Sequence, residues 1–431
     1  MADISLSHMT RVFARIGCLS FGGPAGQIAL MHRELVDERQ WVEEEDFLHA
    51  LNFCHFLPGP EAQQLATYIG WKLHGVQGGL VAGMLFILPG ALVMLGLSML
   101  YAVAAELEWF QALFLGIKAA VLAIVVQALL RVAGKALDTP CKKGLALAAF
   151  MALAVFSVPF PLIIMAMGMI GFAVAQTRPD LLGIKSGPSS AVLPARPPFS
   201  GTFRAICLWG TIWAAPLVLI LVTLGPDHVL WDLGLFFSKL AVVTFGGAYA
   251  VLAYMAQQAV EGFHWLQPGE MADGLGLAET TPGPLIMVTQ FVGFLAAFRA
   301  PAPFSPMLAG IAGAALTTWV TFAPCFLWIF TFAPWVERLQ HAPRLKGALS
   351  AVTAAVVGVI ANLALWFALH LLFTRTSSVL IPGLNLPDPA SFDARAATIA
   401  VVSAVLIFGR GWGVLPVLAV ASGLGLALRF A

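Results

Sequence analysis

Two short motifs occur twice in this chain, separated by one fixed distance. Phe21-Gly22-Gly23-Pro24 returns as Phe245-Gly246-Gly247-Ala248, and Pro58-Gly59-Pro60 returns as Pro282-Gly283-Pro284. The offset is the same for both, because 245 − 21 = 224 and 282 − 58 = 224. The stretch that holds both motifs aligns without a gap over 48 residues, twelve of which are identical. Such agreement indicates an internal duplication, so the chain consists of two versions of one unit.

Composition places that unit in a membrane. The 431 residues are 60% hydrophobic and only 10% charged, and the mean hydropathy is +0.89. These values are typical of a polytopic membrane protein. A net charge of +1 argues against a nucleic-acid partner. The sequence has no phosphate-binding loop and no Cys/His cluster, so we expect neither a cofactor nor a metal, and no enzymatic activity.

Long apolar segments predict an all-α fold that crosses the membrane many times. Two shorter pairs, 144–156 with 159–176 and 396–408 with 413–429, are broken by Pro or Gly, and whether they span is left open. The remaining segments are long enough to span, at about 20 residues each: 10–31, 48–71, 79–101, 110–130, 205–224, 236–255, 272–297, 307–332 and 348–373.

The domain organisation follows from the repeat and from a Pro-, Ser- and Gly-rich stretch. We assign 1–176 to the first repeat, 177–204 to a cytoplasmic linker and 225–431 to the second repeat. A single additional apolar segment, 205–224, precedes the second repeat. The second repeat therefore enters the membrane from the opposite side, and the Lys and Arg distribution of the first half places the N-terminus inside. The sequence predicts two repeats of inverted topology.

The paired glycines predict a broken helix in each repeat. Glycine lowers helix propensity, and Pro24 lacks an amide hydrogen. Broken backbone at membrane depth is tolerated where protein or a water-filled cavity satisfies it, and the N-terminus of a half-helix attracts an anion. The alternative is a glycine-lined packing surface, such as Gly79 and Gly83 suggest. Recurrence at equivalent positions favours the anion site.

Each Pro-Gly-Pro motif is a stronger helix breaker. It places two imide nitrogens and a glycine inside an apolar stretch, so no regular helix can pass through it. Interrupted segments at corresponding positions of two halves are the best sequence indication of a transporter's binding site.

Charged residues lie near these breaks. Arg15 and Lys239 share one repeat position, since 239 − 15 = 224, and we expect them to attract an anion or to anchor the helix at the interface. Glu61, Glu279 and His55 lie beside the Pro-Gly-Pro motifs. They are candidates for proton coupling, with capping of free amides as the alternative reading of the carboxylates.

With these motifs in this order, the chain resembles the chromate ion transporter (CHR) family in its long, two-domain form. The resemblance implies export of chromate, a tetrahedral dianion similar to sulfate, across the bacterial inner membrane, and hence chromate resistance. The second half has Ala248 where the first half has Pro24, which leaves open whether both halves contribute equally to the substrate site. The candidate substrate-binding residues share a place at or near the breaks: Arg15, Phe21, Gly22, Gly23, Pro24, Pro58, Gly59, Pro60, Lys239, Phe245, Gly246, Gly247, Pro282, Gly283 and Pro284.

We therefore expect a secondary transporter in which rocking of the inverted repeats exposes the anion to each side in turn. A sulfate or other oxyanion uptake carrier and a gated anion channel are the alternatives. The sequence leaves open the coupling ion, protons included, and the choice between a monomer and a homodimer.

Overall fold

The computed structural model describes residues 4–184, 199–245, 248–336, 342–373, 375–378 and 385–430. These residues are mainly helical. The helices are α1 (Leu6–Leu19), α2 (Gly23–His32), α3 (Glu44–Cys54), α4 (Glu61–Ala104), α5 (Glu108–Ala136), α6 (Pro140–Ala154), α7 (Phe160–Thr177), α8 (Phe199–Thr223), α9 (Val229–Val243), α10 (Ala248–Gln257), α11 (Pro268–Thr280), α12 (Val288–Arg299), α13 (Pro306–Phe332), α14 (Pro343–Leu372), α15 (Ala394–Ala404) and α16 (Val414–Phe430).

A two-stranded ribbon is the exception to the expected all-α fold. Strand β1 (Thr376–Ser378) pairs antiparallel with β2 (Asn385–Pro387), and Ser377 lies opposite Leu386. Strands this short cannot form a sheet with a buried face. The prediction of a helical, polytopic membrane protein is confirmed at that level.

Six helices in the described part of the chain are long and apolar enough to cross a bilayer. Shorter apolar helices cover Leu285–Arg299, Ala394–Gly409 and Val414–Arg429. The six span-length helices are Glu61–Ala104, Glu108–Ala136, Phe160–Thr177, Phe199–Thr223, Pro306–Trp335 and Arg344–Leu372.

The helices are interrupted at all four motifs. Helix α1 ends at Leu19 and α2 begins at Gly23, while α9 ends at Val243 and α10 begins at Ala248. At the Pro-Gly-Pro motifs, α3 is separated from α4, and α11 from α12. Four apolar segments that are long enough to span by composition are therefore pairs of shorter helices, as the glycines and prolines predict.

Helix α4 turns back on itself at His74 and Gly75, whose dihedral angles are not helical. In a straight helix Thr67 and Gly83 would be about 24 Å apart. Instead, a Cβ atom added to Gly83 would lie 2.3 Å from the Thr67 hydroxyl. The two arms of α4 thus form an antiparallel hairpin with glycines at the contact.

Helices α12 and α13 form the corresponding hairpin of the second repeat. Gly293 and Gly313 pack against one another's backbone, since each added Cβ would lie within 2.8 Å of the other's carbonyl oxygen. The connection runs from Arg299 to Pro306. Arg299 is the repeat equivalent of Gly75, because 75 + 224 = 299. The second repeat therefore replaces a tight turn with a longer loop. Beyond this loop the equivalent residues are further apart than 224, as Pro89 and Pro324 show (324 − 89 = 235), and the change in offset indicates an insertion here.

The helices divide into two compact units, and each unit takes segments from both sequence repeats. Unit 1 comprises Met1–Ala102, Val192–Ala248 and Leu277–His341, and unit 2 comprises Val103–Ala191, Tyr249–Gly276 and Ala342–Ala431. The predicted domain boundaries describe the duplication, and as domain boundaries they stay a prediction. Helix α8 begins at Phe199, inside the predicted linker.

Small residues allow close helix packing inside unit 2. An added Cβ at Gly171 on α7 would lie 2.4 Å from the carbonyl oxygen of Gly347 on α14. Likewise, an added Cβ at Gly116 on α5 would lie 2.1 Å from the carbonyl oxygen of Ala421 on α16. Such contacts are typical of membrane helices, where packing replaces the hydrophobic effect as the driving force.

Candidate functional site

The break between α1 and α2 leaves the N-terminus of α2 open. Gly22 is the N-cap residue with φ of 84°, and Gly23 has φ of 69°. These left-handed conformations favour glycine. A Cβ atom added to Gly22 would meet nothing within 4 Å, so the backbone here faces open space.

The first turn of α2 can serve an anion. By position in the helix, the amides of Gly23 and Ala25 have no helical acceptor, and Pro24 has no amide hydrogen. No side chain caps this end. Gly22 and Ala25 are exposed, and Gly23 and Pro24 are partly buried. An uncapped, accessible helix N-terminus presents free donors and the positive end of the helix dipole.

The Pro-Gly-Pro loops, in contrast, are buried. Pro58, Gly59 and Pro60 are inaccessible, and so are Pro282, Gly283 and Pro284. Gly59 has φ of 121° and Gly283 has φ of 93°. A side chain at Gly59 would also collide with the Gln64 amide, at 2.8 Å from an added Cβ. The left-handed φ therefore favours glycine at the centre of the first loop, and a larger residue there would also displace the Gln64 side chain.

Each Pro-Gly-Pro loop is hydrogen-bonded to the helix break of the other repeat. The amide of Gly59 donates to the carbonyl oxygen of Thr244 at 2.8 Å, and the amide of Gly283 donates to that of Ser20, also at 2.8 Å. These bonds are equivalent, because 283 − 59 = 224 and 244 − 20 = 224. The equivalent contacts are exchanged reciprocally, as in a pair of units related by a two-fold axis.

The hydroxyls of Ser20 and Thr244 reinforce this pattern. The Ser20 Oγ donates to the carbonyl oxygen of Ile16, and the Thr244 Oγ1 donates to that of Leu240, both at 2.6 Å. Both hydroxyls are thus engaged by the preceding helical turn. The backbone carbonyls remain as acceptors for the glycine amides of the loops.

Two buried glutamines also bind the Pro-Gly-Pro loops, through carbonyl oxygens of those loops. The side-chain amide of Gln27 donates to the carbonyl oxygen of Gly283 at 2.6 Å, and that of Gln64 donates to the carbonyl oxygen of Pro58 at 2.7 Å. Both side chains are buried, with 1% and 0% exposure. The repeat gave no indication of them, because the equivalent residues are Val251 and Val288. Only the presence of a polar side chain within an apolar helix could have indicated these two glutamines from the sequence.

The predicted cation Arg15 belongs to a charged cluster. Its Nε lies 3.5 Å from the Oε1 of Glu34, a fully buried carboxylate that Arg39 also binds. Arg33 and Glu38 pair beside them. Three guanidiniums and two carboxylates leave a charge of 3 − 2 = +1. Sequence reasoning did not single out Glu34.

Two of the proton-coupling candidates lie together. The Nε2 of His55 is 3.6 Å from the Oε2 of Glu61, the first residue of α4. Glu279 is buried near the end of α11, with 5% of its surface exposed. Among the described residues, no group of three or more His, Cys, Asp or Glu side chains could hold a metal ion.

The remaining predicted site residues fall into place as follows. Lys239 is exposed on α9, and Phe21 and Phe245 are partly buried beside the breaks. Gly246 and Gly247 lie outside the described residues. The fold brings Pro282–Pro284 to the first break and Pro58–Pro60 to the second, while the glycine amides of both loops are already engaged. Direct binding of substrate by any of these residues stays a prediction.

Comparison with known proteins identifies the family. The model of the family named Chromate transporter matches residues 7–172 and 231–427, which include every motif of both repeats. The chain belongs to the chromate transporter family. This is a family of transporters rather than enzymes, and membership agrees with the span-length helices of a multi-pass membrane protein.

Several relatives of this chromate transporter family member align with it over most of their length. A chromate transport protein of Pseudomonas aeruginosa is 33% identical over 360 residues, covering 81% of this chain and 77% of its own. A chromate transport protein of Cupriavidus metallidurans is 28% identical over 83% of this chain and 81% of its own. A probable chromate transport protein of Synechococcus elongatus is also 28% identical, over 83% of each chain. No solved structure matches.

Proposed function

We propose that this chain exports chromate across the bacterial inner membrane by alternating access and so confers chromate resistance. Family membership and the names of the relatives support chromate as the substrate. The observation that carries the mechanism is the reciprocal pair of hydrogen bonds, Gly59 to Thr244 and Gly283 to Ser20. Each repeat supplies the loop that supports the broken helix of the other.

The exchange of equivalent contacts supports an inverted pair of repeats. Transporters built this way hold their substrate at broken helices near the midplane, and one repeat rocks against the other. The additional helix α8 lies between the two repeats along the chain. One extra crossing reverses the side from which the second repeat enters the membrane.

The substrate site of this proposal lies at the glycine breaks. The free amides of α2 around Gly23 would hold an oxyanion, and Gly246-Gly247 would provide the equivalent amides in the second repeat. Arg15 and Lys239 would raise the local anion concentration. The Pro-Gly-Pro loops would act as supports, because their glycine amides bind protein carbonyls.

The membrane potential can drive this transport outward. Moving one charge through 100 mV is worth about 2.3 kcal/mol, so a dianion leaves a negative-inside cell downhill. Proton coupling is an addition and not a requirement. His55 and Glu61, at 3.6 Å, form the carboxylate–imidazole pair through which it would act.

Vesicle transport tests the proposal. Labelled chromate should accumulate in inside-out vesicles when the potential is positive inside, with saturable kinetics, and chromate on the far side should accelerate exchange. Cells that express the chain should tolerate more chromate than cells without it. An inward preference in right-side-out vesicles, with sulfate transported in place of chromate, would instead indicate an uptake carrier. Currents without saturation or exchange would indicate a channel.

A further inference from the structure

Lys118 lies deep in the apolar span of α5. It follows the first residue of that helix, Glu108, by ten positions, which places it about 15 Å along the helix axis. The hydrocarbon core of a bilayer is about 30 Å thick. Lys118 is therefore close to the membrane midplane, where a lysine is costly and indicates function.

A carboxylate of α11 accompanies this lysine. The Nζ of Lys118 is 3.2 Å from the Oδ1 of Asp273, and the side chains are 24% and 6% exposed. A buried ion pair recovers its desolvation cost only with excellent geometry, and an apolar pair of similar size is often at least as stable. Structural stability alone therefore gives little reason for the pair.

Lys118 lines a cavity of about 140 Å³ inside unit 2, and its ion pair with Asp273 lies beside that cavity. That volume has room for several water molecules or for an ion of a few heavy atoms. Lys118, His370 and Trp366 line it together with Gly269 in the first turn of α11. A Cβ atom added to Gly269 would lie only 3.3 Å from the Lys118 ammonium. Glycine therefore keeps this side of the cavity open.

We propose that this cavity is a binding site for a small oxyanion and that protonation of Asp273 allows the oxyanion to bind. With Asp273 ionised, its charge offsets that of Lys118. When the carboxylate takes a proton from hydronium, it becomes a neutral carboxylic acid and a water molecule is left. Lys118 stays an ammonium ion, so the charge of the site rises by one and an anion is attracted.

This inference deepens the proposed function and rests on it, because the ligand is the oxyanion class that the chain is proposed to carry. Linkage makes the two events reciprocal, so a bound anion also favours the protonated Asp273. The site would therefore bind an anion and a proton together. No such role follows from the repeated motifs, since Lys118 and Asp273 lie outside them.

Other charged and titratable groups lie on the helices that carry this ion pair or pack against it. From α11, Glu270 accepts a hydrogen bond from the Gln267 amide at 2.8 Å. From α14, His370 donates its Nδ1 hydrogen to the Trp366 carbonyl, while the Trp366 indole donates to Glu261. On the helices packed against α5, Arg395 pairs with Asp393 at the start of α15, and Arg429 on α16 pairs with Glu108. His370 is thus the other group whose titration could change binding, and the experiment must distinguish its effect from that of Asp273.

Binding of inorganic sulfate and of chromate to the purified full chain tests the site, by calorimetry at mildly alkaline and mildly acidic pH. The wild-type protein should bind more tightly at acidic pH. Asp273→Asn should bind at both pH values as the wild type does at acidic pH. Lys118→Met should weaken binding at acidic pH by about tenfold to a hundredfold, the equivalent of one charged hydrogen bond.

Three further variants complete the test. His370→Gln should keep the pH response. Lys118→Met/Asp273→Asn removes both charges without leaving one buried alone, and it should bind weakly at both pH values even if Lys118→Met fails to fold. Lys135→Met, on an exposed position of the same helix, should bind as the wild type does.

The inference fails if Asp273→Asn keeps the wild-type pH response, if His370→Gln abolishes it, or if the double variant binds as tightly as the wild type. A different result would show that the proposed function fails while this inference holds. In that case the wild-type chain moves no chromate in vesicles, while sulfate binding still depends on Lys118 and Asp273.

Discussion

Gln27 donates its side-chain amide to the carbonyl oxygen of Gly283 at 2.6 Å, across 256 positions of the sequence. The acceptor belongs to the loop whose own amide binds Ser20, just before the first glycine break. Gln27 lies on the half-helix that follows the same break. One side chain therefore joins the broken helix of the first repeat to the Pro-Gly-Pro loop of the second.

We expect Gln27→Met to weaken this junction. Methionine preserves the length of the side chain but has no donor, so a buried carbonyl loses a partner at a cost of about 1–3 kcal/mol. The melting temperature of the purified protein should fall accordingly, and the initial chromate flux should also drop. Gln111→Met is the control, because Gln111 is exposed and bonds the Ala105 carbonyl at 3.3 Å. Equal effects of the two changes would contradict the role of Gln27.

We expect Gly22→Ala to impair transport more than stability. The left-handed φ of 84° costs an L-residue about 1–2 kcal/mol, while the added methyl group would meet no atom within 4 Å. A folded protein with greatly reduced chromate flux is the expected result. Normal flux would remove the α2 N-terminus from the anion path.

Gly96→Ala is the appropriate control for that change. Gly96 lies within α4 with open space around it, so alanine should be tolerated and should slightly stabilise the helix. Gly79 would be unsuitable, because an added Cβ there would lie 2.8 Å from the Phe330 ring. This close contact confirms that Gly79 packs against a neighbouring helix.

We expect replacement of Arg39 to destabilise the protein more than replacement of Arg15, although both arginines contact Glu34. Arg39 is 21% exposed and Arg15 is 57% exposed. Arg39→Gln should cost about 3 kcal/mol, because it leaves a buried carboxylate poorly compensated, whereas Arg15→Gln should cost below about 1 kcal/mol. Thermal unfolding measures both. If Arg15→Gln nevertheless lowers chromate flux, as Lys239→Gln should, anion attraction is supported. Unchanged flux in both variants would remove these cations from the site.

We expect a small pH effect outside the membrane spans. A hydrogen bond from Lys142, 2.8 Å away, lowers the pKa of the Asp138 carboxyl. The folded pKa is below the unfolded value of about 3.9, so this contribution is present above that pH and is lost as the pH falls through the folded pKa. It should stay below about 1 kcal/mol because Asp138 is half exposed. Asp138→Asn should abolish it in unfolding curves measured against pH, and Asp180→Asn should not.

The repeat predicted the helix breaks well because glycine and proline act locally. A Pro-Gly-Pro sequence prevents a regular helix whatever surrounds it, and the structure has interruptions at all four motifs. The insertion between Arg299 and Pro306 could also be read from the change in offset. Packing of Gly79 was predictable for the same reason, since glycines spaced by four residues recur at helix contacts.

Contacts between distant segments were not predictable in this way. Lys118 was visible as a lone lysine in an apolar stretch, yet nothing in the sequence joined it to Asp273, 155 residues later (273 − 118 = 155). The buried Glu34 lies in a stretch whose charges suggest exposure to solvent. Ser20 and Thr244 align in the repeat, but their role depends on main-chain carbonyls, which composition does not reveal.

The amino-acid order by itself determined that this is a duplicated, helical membrane chain interrupted at fixed points, because hydrophobicity, glycine and proline act through local physics. The tertiary structure decided which interruption supports which, pairing Gly59 with Thr244 and Gly283 with Ser20. It also decided that Lys118 meets Asp273 beside a cavity. Such pairings depend on how helices far apart in the chain pack together, and hydrogen bonds and ion pairs form only at the distances that packing sets.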